Sequence, residues 1–183
     1  TKMQNLEGFN KMMDMRTNSS NNTVYADVKG NIAYYHGNFI PKRDIKFDYS
    51  EPVDGSNPST DWKGLHSLAE SIRVINPPNG WIQNCNSTPF TSAGEFSPKK
   101  ENYPSYMSRD EENFRSLHAI RLLKESMDLD LDKLIKLAYD PYLPAFELLI
   151  PGLIKAYDQS EKEVVLSAPI EILRNWDFAV SKE

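Results

Sequence analysis

Thr23-Val24-Tyr25-Ala26-Asp27-Val28-Lys29-Gly30-Asn31-Ile32-Ala33-Tyr34-Tyr35 is the stretch from which the fold is read. Val24, Ala26 and Val28 alternate with Tyr25 and Asp27, and the apolar run resumes at Ile32 after Lys29-Gly30-Asn31. Glycine supplies the positive φ that a hairpin loop needs, and an aspartate at position 27 can accept from turn N–H groups. The pattern predicts a β-hairpin. His36, next along the strand after Tyr34 and Tyr35, is expected at the surface or half-buried.

On the N-terminal side, Met3, Leu6, Phe9 or Asn10, and Met13 fall at helical spacing. They predict an amphipathic helix over residues 2–15, joined to the hairpin by a polar linker from Thr17 to Asn22. On the other side, residues 41–64 are rich in Pro, Asp, Ser and Gly and read as a long irregular loop. Arg73 to Asn76 and Trp81 to Asn84 predict two short strands around the turn Pro77-Pro78-Asn79-Gly80. Residues 91–107 read as loop again.

From Asp110 the period becomes helical, with Phe114, Leu117, Ile120, Arg121, Leu122 and Leu123 marking one face. Further helices are expected at Leu131 to Tyr139, at Ala145 to Tyr157 with a kink at Pro151-Gly152, and at Pro169 to Trp176. Strands thus precede helices instead of alternating with them, which argues for the α+β class. No internal repeat is visible.

At 183 residues the chain is long enough to bury a core. Its net charge is −5 and its Lys and Arg are scattered, so it lacks the basic patch that a nucleic-acid surface requires. No apolar run approaches the roughly 20 residues of a membrane span, and no signal peptide is visible. The single cysteine, Cys85, excludes an internal disulfide. Asn18, Asn21 and Asn86 begin Asn-X-Ser/Thr triplets, which matter only in a glycosylating host. The chain opens on Thr1 without an initiator methionine and reads as a piece of a longer protein.

The stretch Gly80-Trp81-Ile82-Gln83-Asn84-Cys85-Asn86-Ser87-Thr88-Pro89 ends an apolar run abruptly in amides and hydroxyls. A strand end opening into a polar site has this character, and Asn86 can offer a neutral N–H donor to an oxygen that turns negative in a reaction. The plain alternative for Asn84 and Asn86 is polar termination of a strand. Arg115, on the polar side of the helix from Asp110, would by the same standard be a solvated surface residue.

Other constellations favour structural roles. Asp128-Leu129-Asp130-Leu131-Asp132 has Lys133 and Tyr139 where a calcium loop needs Gly and Glu, so its acids are expected to cap a helix. His36, His66 and His118 are far apart and give no zinc spacing. There is no Gly-x-Ser-x-Gly elbow and no Gly-rich phosphate loop. Cys85, in an apolar strand without a neighbouring His, is expected to pack and not to act as a nucleophile.

Taken in order, several short motifs resemble the penicillin acylase family. Thr23 to Ile32 resembles its "yADvdGNIgy" hairpin, and Gly37 through Pro41 to Arg43 its "G..P.R" continuation. Asp61-Trp62-Lys63-Gly64 matches "dW.G", Asn76-Pro77 with Gly80 matches "NP..G", and Gln83-Asn84-Cys85-Asn86 through Pro89 matches "N.N..P". Leu173-Arg174-Asn175-Trp176-Asp177 resembles "L..WD". The resemblance spans roughly residues 5–180, and the relatives include acyl-homoserine-lactone acylases.

The resemblance implies an N-terminal-nucleophile amidohydrolase acting on linear amides. In that family a precursor is cleaved to expose a Ser whose hydroxyl attacks the amide while its own α-amine is the base. It implies part of an αββα sandwich, with antiparallel strands over about residues 22–90 and a helical segment over about 108–178. The chain would be a single fragment of the β chain, 1–107 belonging to the hydrolase core and 108–183 to the helical part. Asn86 falls on the oxyanion-hole Asn, with Asn84 supporting it. Arg115 falls on the Arg that positions that Asn and the nucleophile, and Arg109 is the second candidate.

Thr1 is not the nucleophilic Ser, so the fragment alone is expected to be inactive. No cofactor is expected. Calcium is possible in the parent, but the acid expected near Tyr103-Pro104 is replaced around Met107, and no ligands are identifiable. The implied partners are a small amide substrate and the rest of the acylase, the α chain and the remaining β chain, with no nucleic acid and no membrane. The parent would be periplasmic or secreted. The competing class is a non-enzymatic ligand-binding module presenting the Tyr- and Trp-rich hairpin and the 41–64 loop.

Overall fold

A computed structural model describes residues 2–17, 21–161 and 163–180. Thr1 and Asn18, each singled out above, lie outside the described residues, as does part of the 17–22 linker. The chain forms two compact units, Thr1–Glu112 and Asn113–Glu183.

The first unit is organised by a three-stranded antiparallel sheet in the order β1-β2-β3, with β1 Thr23–Ala26, β2 Ile32–Tyr35 and β3 Arg73–Ile75. The hairpin forms as expected, Thr23 pairing with Tyr35 and Ala26 with Ile32. Asp27 closes its turn. The carboxylate accepts from the backbone N–H of Lys29 at 2.9 Å and of Asn31 at 3.0 Å, and from the Tyr25 hydroxyl at 2.9 Å. Gly30 takes the positive φ, 81°. Asn31 then reaches β3: its side-chain oxygen accepts from the Asn76 amide at 2.9 Å, and Asn76 Oδ1 accepts from the Ile32 N–H at 2.9 Å. The Asn of "GNI" and the Asn of "NP" are therefore one fastening between strands.

β2 is central and covered on both faces, so Ala33, Tyr34 and Tyr35 are all buried instead of alternating. One face carries Ala33 and Tyr35, packed with Met13 and Leu68 and flanked by Leu6, Phe9 and Met12. Of these, Leu6, Phe9, Met12 and Met13 come from α1, Leu6–Met13, which Asn5 caps by accepting the Gly8 N–H at 2.8 Å. That cap and the turn after Met13 make the helix shorter than the expected 2–15. The opposite face carries Tyr34 and Val74, packed on Ala93 and Ile82.

Trp81 to Asn84 is not a strand, contrary to the sequence expectation: it joins no ladder. The Gln83 N–H donates to the Ser92 carbonyl at 2.8 Å and the Asn79 amide to the Ala93 carbonyl at 2.9 Å. The segment's hydrogen bonds thus go to the 91–93 loop beneath it, which leaves no edge for β3 to pair with. Residues 41–64 are irregular but tethered at both ends. Lys42 N–H donates to the Gly64 carbonyl and Lys63 N–H to the Lys42 carbonyl, each at 2.9 Å. Arg43 lies 5.0 Å from the Tyr49 ring centroid and 5.9 Å from that of Trp62, so the "P.R" and "dW.G" motifs meet as a cation–π contact.

The second unit is helical: α2 Phe114–Glu125, α3 Leu131–Ala138, α4 Pro144–Gln159 and α5 Val164–Asn175. Two of these depart from the sequence expectation. α2 begins at Phe114 because Asn113 caps it, accepting the Ser116 N–H at 3.1 Å. Its fully buried residue is Ser116, whereas Phe114 and Leu117 are exposed. α5 begins five residues before Pro169, which lies inside it. Asp130 caps α3, accepting the Lys133 N–H at 2.8 Å, the capping role expected of that acidic run. The Trp of the "L..WD" motif follows α5. Its ring packs on Phe146 and Phe178 at 5.1 and 5.8 Å, and its indole N–H donates to the Ala179 carbonyl at 2.8 Å. Among the described residues no helix is long and apolar enough to cross a membrane.

Candidate functional site

The site is built where the Tyr34 face of the sheet meets the loop that covers it. After Gln83, bound to Ser92, the chain turns sharply, and Asn86 takes a left-handed φ of 55°. Asparagine tolerates that region better than most residues, because its short amide bonds locally. Here Asn84 Oδ1 accepts the Asn86 backbone N–H at 2.8 Å. Beyond Asn86, the Thr88 N–H donates to the Glu111 carbonyl at 3.2 Å. The turn that presents Asn86 is thus held from both sides by backbone bonds.

Asn86 borders a cavity of about 280 Å³ together with His36, Gly37, Ile40, Met107 and Asp110. Tyr34 and His36 stand two positions apart on the same face of the strand line. The Tyr34 hydroxyl lies 2.9 Å from His36 Nδ1, and His36 Nε2 lies 3.4 Å from an Asp110 carboxylate oxygen. The Asn84 amide acts on the same Tyr34 hydroxyl in the sense of a donor. A continuous polar line therefore runs from Asn86 through Asn84, Tyr34 and His36 to Asp110.

Its electrostatics favour neutral forms in the interior. Burial pushes the Tyr34 phenol far above its usual range, the Asp110 charge adds to this, and the Asn84 bond opposes it. Burial likewise pushes the His36 imidazole down, with Asp110 pulling the other way. Tyr34 is 1% exposed and His36 8%, so the expectation of a surface or half-buried His36 is corrected. The sequence held one sign of this: Tyr34 and His36, at i and i+2, put two polar tips on one face. Nothing in the sequence pointed to Asp110, which a loop of irregular structure carries to the cavity.

The other sequence-predicted residues fall as follows. Asn84 and Asn86 come together in the first unit, whereas Arg115 lies in the second, exposed on the first turn of α2. Arg109 pairs with Asp48 at 2.9 Å beside a separate, larger cleft of about 580 Å³. Cys85 is half-buried. Met107 is buried, and its thioether is a poor ligand for a hard cation. Among the described residues there is no group of three or more His, Cys, Asp or Glu that could hold a metal ion.

Comparison with known proteins gives a consistent picture. The family model for penicillin amidase matches residues 1–183. Penicillin G acylase of Escherichia coli is 43% identical over 68 residues, which are 37% of this chain and 8% of that protein. The solved structure of a thermostable penicillin G acylase from Alcaligenes faecalis superposes with a TM-score of 0.70 at 22% identity, covering all of this chain and 31% of that one. The chain spans well under half of either relative. Mixed helices and a small antiparallel sheet are the architecture it shares with the latter. The chain belongs to the penicillin amidase family.

Proposed function

We propose that this chain is part of an amidohydrolase that cleaves linear amides by an N-terminal Ser nucleophile supplied by another part of the same protein. The observation that carries the proposal is Asn86 itself. It matches the family's second "N.N" asparagine, sits on a left-handed turn held at both ends, and opens onto a cavity. A side-chain amide carried on a backbone held in that way is suited to an oxyanion that develops only as the substrate carbonyl becomes tetrahedral. A donor already in position needs no reorganisation at the moment of reaction, and losing one such donor typically costs ~10²–10³ in kcat.

In this reading Asn84 orients Asn86, and Arg115 takes the positioning role that the resemblance assigns to it. The sheet of the first unit belongs to an αββα sandwich completed by other segments of the parent. The substrate is a small N-acyl amide, the partners are the remaining segments of the acylase, no cofactor takes part, and the parent is, as the resemblance implies, periplasmic or secreted. The test is hydrolysis of a series of chromogenic N-acyl anilides by the full-length parent protein. Release of the arylamine, with an acyl-enzyme trapped on a Ser at a chain N-terminus, is expected. Binding of such amides without turnover would point instead to a ligand-binding module.

A further inference from the structure

The three side chains between Asn86 and Asp110, those of Asn84, Tyr34 and His36, can all be satisfied in one direction. Asn84 Oδ1 is engaged by the Asn86 N–H at 2.8 Å, and its amide acts on the Tyr34 hydroxyl in the sense of a donor. With that oxygen accepting, the Tyr34 O–H donates to His36 Nδ1, 2.9 Å away. His36 must then carry its proton on Nε2, which faces the Asp110 carboxylate at 3.4 Å. Every N–H and O–H points the same way, from the oxyanion turn to the carboxylate. Tyr34 is fixed by the centre of the sheet, and His36 is buried where the chain turns at Gly37, whose φ is 65°.

The geometry points to Tyr34 and His36 as positioning residues for the oxyanion donor, acting through Asn84 on the backbone of Asn86. The proposal rests on the acylase reading above and adds to it a line of donors and acceptors, buried at Tyr34 and His36, that sets the orientation of the turn. Each residue holds the next group along, and a displacement of the donor by about 1 Å is enough to cost on the order of a hundredfold in rate. A protonated His36, a donor at both nitrogens, could not accept from Tyr34 and would break the line, so the buried neutral imidazole is part of the device.

Two replacements of His36 in the full-length parent separate this from a merely structural role. His36→Asn keeps an acceptor near the Nδ1 position, whereas His36→Gln keeps a donor near Nε2 but withdraws the acceptor from Tyr34. His36→Asn is expected to keep most of kcat. His36→Gln and Tyr34→Phe are expected to lower kcat about ten- to hundredfold with KM little changed, and their double variant to lose little more than either alone. Nitrogen-15 NMR of the imidazoles, with His36 assigned by the signal missing from His36→Asn, should show a neutral ring protonated on Nε2.

Wild-type kcat in His36→Gln and Tyr34→Phe would overturn the proposal. So would an Nδ1-protonated His36, a result that stands even where a variant fails to fold. Asn86→Ala distinguishes the two levels. If it is inactive while the network variants are fully active, only the positioning role falls. If it is fully active, the acylase reading beneath it falls.

Discussion

Asn86 shows how one residue can carry both conformation and chemistry. Its φ of 55° suits Asn or Gly, and its amide suits a nascent oxyanion. The sequence displayed the residue and its motif neighbours. It did not display Tyr34 and His36 as partners, because a strand pattern records which face a side chain takes and not what closes over that face. Asp27 gives a second prediction at this scale. Bonds from Asn31, foremost its side chain, hold the Asp27 carboxyl at about 2, below its ordinary 3.8. A carboxyl depressed on folding stabilises the folded state above its unfolded pKa and loses that effect as pH falls through the folded value. The melting temperature of the parent should therefore exceed that of its Asp27→Ala variant by a margin that is full above about pH 4 and shrinks towards pH 2. A margin independent of pH would show that the charge plays no part.

Elements were legible where a local rule decided them and illegible where packing did. The hairpin followed from Gly30 and Asp27, α3 from its Asp130 cap, and β3 from Val74 and Ile75. Trp81 to Asn84 has strand composition, yet its backbone turns inward to Ser92 and Ala93 and covers the sheet without joining it. For α2 the apolar spacing pointed to Phe114 and Leu117 as buried, whereas the fully buried position is Ser116, whose hydroxyl is satisfied by the Asn113 carbonyl at 2.9 Å. Asn113 therefore holds the start of that helix twice, through its side chain and its carbonyl. Asn113→Ala should destabilise the helix by about 1 kcal/mol. Amide hydrogen exchange over residues 114–118 would record this as roughly fivefold faster exchange, and unchanged protection would refute the capping role.

At the scale of the whole molecule, the second unit leaves many large apolar side chains in solvent. Leu131, Leu148, Val164, Val165 and Ile172 are each at least 70% exposed. Soluble proteins seldom leave such surface uncovered, and the chain accounts for 31% of a structural relative whose remaining parts could cover it. The purified 183-residue chain should accordingly self-associate, and sedimentation velocity that finds only monomer across the micromolar range would contradict this. The same chain should hydrolyse no N-acyl anilide, since the proposed Ser lies elsewhere; measurable turnover would place the nucleophile within these residues. The most direct test belongs to the full-length parent with Asn86 replaced by Ala and, to remove any strain from the positive φ, by Gly. Both variants should lose about a hundredfold or more in kcat, with KM within a few-fold of wild type. Full activity in Asn86→Gly would show that no oxyanion is held at this turn.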